Sequence, residues 1–75
     1  MGKMKNRYML NRKTVQHYLI DHNLIQSEFA EKLGISVSFF NEMMNGRKGV
    51  SISSLFSIAE ETQMDVRMLV IEVDE

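Results

Sequence analysis

Apolar residues recur at helical spacing along most of the chain, and the polar residues between them mark where each helix starts and stops. Val15, Tyr18, Leu19 and His22 fit one helix face, with Asn11 as its N-cap and a run to about His22. Asn23 then suits a stop, because asparagine tolerates the left-handed conformation. A second helix is predicted from Gln26 to Leu33 and a third from Val37 to Met44, with Phe29, Leu33, Ile35, Phe40 and Met43 as their apolar positions. Ala30 is small where the two must cross. Gly34 supplies a turn at positive φ, and Ser36 caps the third helix. Asn45-Gly46 ends that helix, and residues 47–50 form a loop. Ser51 caps a fourth helix expected to bury Ile52, Leu55, Phe56, Ile58 and Ala59. Asp65 caps a short fifth helix through Leu69.

Val70 to Val73 is rich in β-branched residues and suits an extended strand. It can pair with Tyr8 to Leu10 or with its twin in a second subunit. A frayed continuation of helix five is the competing reading. The organisation expected is a basic arm over residues 1–10, a helical domain over 11–69 and an extended segment over 70–75 that offers a dimer contact. The fold class is all-α: a compact bundle of four to five short helices with a short C-terminal strand.

The stretch from Gln26 to Gly46 carries the most information. Two short helices, a glycine turn and a capped second helix are the layout of a helix-turn-helix, whose second helix enters the DNA major groove. The spacing constrains seven positions together. Over roughly Asn11 to Leu69 the sequence resembles the Cro/cI-type (xenobiotic-response-element-like) helix-turn-helix family of small bacterial and phage repressors. The residues that carry the likeness are Gln26, Phe29-Ala30, Leu33-Gly34-Ile35-Ser36 and Asn45-Gly46, together with Leu55, Ile58 and Ala59. The resemblance implies a lambda-repressor-like fold and a cytoplasmic, bacterial or phage-encoded transcription regulator that binds double-stranded DNA, often as a homodimer on a palindromic site.

It also implies that helix 36–44 faces base edges. Ser38 can donate or accept, Asn41 can make the paired hydrogen bonds to adenine, and Val37 can touch a thymine methyl. Glu42 can accept from cytosine N4 but repels phosphate. Phe39 lies outside the main core stripe and either presses on the groove or folds back against Val50 or Ile52. Gln26, Asn45, Arg47 and Lys48 are the phosphate candidates, and Lys3, Lys5 and Arg7 are candidate arm contacts, or else a solvated tail. The sequence departs from the family pattern in three places. Ile25 stands where a capping Thr or Ser is common. Leu19 and Met44 stand where many relatives carry an Arg–Glu ion pair, so the two are expected to touch. Glu42 adds an acid to the reading helix.

Composition narrows the remaining choices. Seventy-five residues make one domain near the lower limit for a self-sufficient core, and 44% hydrophobic content suffices for folding. The net charge is −1, yet it is polarised: Lys3, Lys5, Arg7, Arg12 and Lys13 precede any acid, while Glu60, Glu61, Asp65, Glu72, Asp74 and Glu75 crowd the last third. Absence of cysteine rules out disulfides and thiolate metal sites. No apolar run approaches the roughly 18 residues of a membrane span. The start lacks an apolar signal core, and Asn6 replaces the hydroxyl residue of a myristoylation motif. His17 and His22 are spaced wrongly for a metal pair on one helix face, and no nucleophile–base arrangement can be named. No cofactor or small-molecule ligand is expected, and the protein is not expected to be an enzyme. Seven methionines suit irregular cores or an adaptable interface, with Met64 and Met68 near the C-terminal segment. The competing function is a protein-interaction module on the same fold, of antitoxin or anti-repressor type, using the acidic face and Phe39.

Overall fold

A computed structural model describes residues 7–73, and within them the predicted elements form in the predicted order. Strand β1 (Arg7–Leu10) leads into α1 (Arg12–Asp21), α2 (Gln26–Leu33), α3 (Val37–Met44), α4 (Ile52–Thr62), α5 (Val66–Leu69) and strand β2 (Val70–Val73). Each start has a local cause. Asn11 Oδ1 accepts from Thr14 N at 3.3 Å, Ser36 Oγ from Phe39 N at 3.1 Å, Ser51 Oγ from Ser54 N at 3.2 Å and Asp65 Oδ1 from Arg67 N at 2.9 Å. Ile25, at the α2 N-cap, has no oxygen to offer. Glu28 Oε1 nevertheless reaches back to accept from Ile25 N at 3.0 Å, so half of a capping box remains. The stops are equally local. Asn23, Gly34, Gly46 and Gln63 all adopt left-handed φ, between 57° and 77°.

The core is one cluster drawn from every helix and from β1. Phe29, Phe40, Met43, Ile58, Leu69 and Val15 are its largest fully buried side chains. The Phe29 and Phe40 rings meet edge to face with centroids 5.5 Å apart, joining α2 to α3. Leu19 and Met44 are both buried in this cluster, so no charge is sealed where relatives carry an ion pair. Ala30 is 1% exposed, and a small side chain there lets α2 and α3 approach closely.

Helix α4 departs from the sequence-based expectation. Ser54 and Ile58 face inward, with Leu55 and Ala59 half-buried beside them, whereas Ile52 is 71% and Phe56 59% exposed. The cause is helical geometry. Ile52 and Phe56 lie one turn apart, and two residues along a helix is about 200° of rotation, so a stripe through Ser54 and Ile58 turns them outward.

The strands settle the choice left open for Val70 to Val73. β1 and β2 pair antiparallel within the chain, with Tyr8 opposite Glu72, Met9 opposite Ile71 and Leu10 opposite Val70. Two further bonds fix this ribbon to the bundle: Asn11 N donates to Leu69 O at 2.7 Å and Val50 N to Tyr8 O at 3.0 Å. A two-stranded ribbon is marginal alone; here it persists because Leu10 and Leu69 are buried beneath it. No helix among the described residues is long and apolar enough to cross a membrane.

Candidate nucleic-acid interface

The turn between α2 and α3 decides what α3 can present. Gly34 takes φ 77°, the chain reverses, and Ser36 starts α3 with its polar side outward. Phe40, Met43 and Met44 point into the core. That rotation leaves Val37, Ser38 and Asn41 exposed and Glu42 half-exposed on the far side. An open cleft runs along this side, lined by Val37, Ser38, Asn41, Glu42, Asn45 and Arg47. Four of the five candidate base readers and two of the phosphate candidates therefore share one surface.

Phe39 does not join them. It is half-buried, packs against the core, and carries the Lys48 ammonium 5.7 Å above its ring centroid. One helix position separates it from the exposed stripe, which is why sequence alone left its direction open.

Side-chain amides connect the site across the two helices. Asn41 Nδ2 donates to Gln26 Oε1 at 3.0 Å, and Asn45 Nδ2 donates to Asn41 Oδ1 at 2.8 Å. Gln26 is thus a partner of Asn41 at the start of α2, 15 residues away in sequence. A primary amide has two N–H donors and a two-lone-pair oxygen. After both bonds Asn41 still has one donor and one acceptor position to offer, now held in a fixed orientation. The sequence named all three amides but not their connection, which comes from how closely α2 and α3 cross at Ala30.

The loop after α3 is also tied to it. Glu42 O accepts from Arg47 N at 2.9 Å and from Lys48 N at 3.4 Å, and Glu42 Oε1 lies 3.4 Å from Lys48 Nζ. Glu42 therefore neutralises one of the two cations expected at phosphate, while the Arg47 side chain lines the cleft. Of the arm candidates, Lys3, Lys5 and the side chain of Arg7 lie outside the described residues; the Arg7 backbone is in β1. His22 stacks on Tyr18 with ring centroids 4.0 Å apart, and its Nδ1 is 3.0 Å from Tyr18 O, which gives it a local structural partner.

Two helices crossing at a glycine turn, with a capped second helix showing a polar face to solvent, define a helix-turn-helix domain. The sequence model of the Cro/C1-type HTH DNA-binding domain matches residues 14–71, and the chain belongs to that family. Among solved structures it is similar to the crystal structure of the transcriptional regulator VanUg, form II, with a TM-score of 0.72 and 24% sequence identity over 100% of this chain and 96% of that one. That likeness is one of fold. No curated protein matches the chain.

Proposed function

We propose that this protein is a transcription regulator that reads a palindromic operator as a homodimer and represses by occupancy, without catalysis. The observation that carries the reading is the outward face of α3, where Ser38, Asn41 and Glu42 offer donors and acceptors from a single cleft. Asn41 is aimed at adenine by the amide bonds from Gln26 and Asn45. Val37, 45% exposed at the start of α3, suits a thymine methyl, and Glu42 selects cytosine through N4. Arg47 meets phosphate beside the reading helix, and Lys48 does so once released from Glu42. Phe39 supports the loop after α3 and does not read bases. In a dimer, the two α3 helices would lie about 34–36 Å apart, one turn of DNA.

The alternative, a protein-holding module, drew on an exposed Phe39. That side chain packs against the core, so the alternative loses its anchor.

Capture of genomic DNA fragments by purified protein at low and moderate salt tests the reading, with Ser38→Ala/Asn41→Ala alongside. Selective, salt-sensitive enrichment of a palindrome by the wild type, lost in the double variant, is expected. Absence of enrichment even at low salt, where phosphate attraction is strongest, contradicts DNA reading.

A further inference from the structure

The geometry points to the outer edge of β2 as the surface that binds a second copy of this chain. The pairing is antiparallel about a twofold axis at Ile71 and makes a continuous four-stranded sheet. This deepens the dimeric part of the function proposed above and rests on it.

The two edges of the ribbon are treated differently. The outer edge of β1 is covered: Val50 N donates to Tyr8 O at 3.0 Å, and the loop lies so close that a Cβ on Gly49 would be 3.1 Å from the same oxygen. Among the described residues, nothing bonds to the outer edge of β2. An exposed strand edge with β-branched residues is a template for another strand, and a second copy presents the complementary antiparallel one.

Register is set by sequence and charge. Facing residues in an antiparallel pair lie on the same side of the sheet, so a twofold axis perpendicular to it must pass through a residue position. Centring on Val70 would recruit Leu69, which is 0% exposed inside the bundle. Centring on Glu72 sets Glu72 against itself. Centring on Val73 sets Glu72 against Asp74. Like charges directly opposite each other destabilise a sheet. Centring on Ile71 brings the 47% exposed Ile71 against its twin and Val70 against Glu72 of the second copy.

Charge complementarity then appears at the rim. Val70 and Arg67 line the same apolar groove, together with Tyr8, Ile52, Leu55 and Val66. A Glu72 arriving opposite Val70 reaches the Arg67 side of the sheet, and the twofold makes this contact twice. Five of the eight large exposed apolar residues, Tyr8, Ile52, Phe56, Met68 and Ile71, belong to α4, α5 and the ribbon, so this side has apolar surface to cover.

Because Ile71 faces itself, charge at that position is self-repelling in either sign and attractive only when the signs are mixed. The test is sedimentation equilibrium of the full chain without DNA, for wild type, Ile71→Lys, Ile71→Glu and an equimolar mixture of the two variants. The expected result is a wild-type dimer, dimerisation weakened by at least about tenfold in each variant alone, and recovery in the mixture. Ile71 is exposed, so both variants should keep wild-type helical circular dichroism. A monomeric wild type, unchanged dimerisation in both variants, or no recovery in the mixture overturns the proposal. A Phe56→Ser variant gives a further check. If it becomes monomeric while the Ile71 variants stay dimeric, the partner sits on α4 and the β2 pairing is wrong. Sequence-selective DNA capture by a monomeric wild type would sink this surface while leaving the reading by α3 intact.

Discussion

Replacing Glu42 by Gln separates the structural role of this residue from its effect on DNA. The Glu42–Lys48 pair is 3.4 Å long, with side chains 42% and 55% exposed. Unit charges at that distance attract by about 1 kcal/mol at the dielectric constant of water. Ordering two long side chains and screening by salt reduce exposed pairs to about 0.2–1 kcal/mol. The backbone bonds from Arg47 N and Lys48 N to Glu42 O do not involve the side chain and survive the change. Folding stability should therefore fall by less than about 1 kcal/mol. Binding to a non-operator duplex should move the other way. The substitution removes a negative charge from the reading face and frees Lys48 for phosphate. One additional neutralised phosphate steepens log affinity against log salt by about 0.9, which is about 3.5-fold across a change from about 50 to about 200 mM salt. Fluorescence anisotropy with a labelled duplex over that salt range, beside thermal unfolding, measures both. An unchanged salt slope would refute the idea that Glu42 withholds Lys48 from phosphate. A stability loss above about 2 kcal/mol would show that Glu42 supports the loop more than an exposed pair can.

Other outcomes concern the core, the turn and the last helix. Phe40→Ala removes a 0% exposed ring that meets Phe29 edge to face, and chemical denaturation should show a loss of about 3–5 kcal/mol, much of the stability of so small a domain. Gly34→Ala adds a Cβ that meets no atom within 4 Å, so only the strain of φ 77° acts, and the expected loss is about 1–2 kcal/mol in the same assay. Asp65 is held below the ordinary carboxylate value of 3.8, first by its side-chain bonds to Arg67 and then by the Arg67 backbone N–H. A lowered folded pKa means a contribution present above the unfolded value and lost as pH falls through the folded one. Acid unfolding of Asp65→Asn should therefore begin from lower stability at neutral pH and converge on the wild type below about pH 3.8. A constant gap between the two at every pH would contradict this.

The features legible in the sequence were local. Caps at Asn11, Ser36, Ser51 and Asp65, and the stops at Asn23 and Gly34, are short-range devices set by a residue and its nearest neighbours. They placed every helix and, with the spacing from Gln26 to Gly46, the turn that exposes α3. Direction around a helix was harder where apolar residues cover more than one face. In α4, Ile52 and Phe56 are as apolar as Ile58, and only packing against the rest of the bundle shows that small Ser54 turns inward instead. Phe39 posed the same difficulty at the border of the α3 stripe. Connections between distant residues were not legible. The bond from Asn41 to Gln26 exists because α2 and α3 cross closely, and the Glu42–Lys48 pair exists because the loop folds back on α3. The pairing of β1 with β2 joins the two ends of the described chain and depends on the whole bundle forming between them.

Base reading by α3 through Asn41 is decided by selecting binders from a pool of randomised duplexes with wild type and Asn41→Ala. A symmetric motif is expected for the wild type. In the variant, preference should vanish at one adenine-bearing position in each half and persist elsewhere, with a discrimination loss of about 1–3 kcal/mol at that position. Identical motifs from both proteins, or no motif from the wild type, would contradict base reading through Asn41.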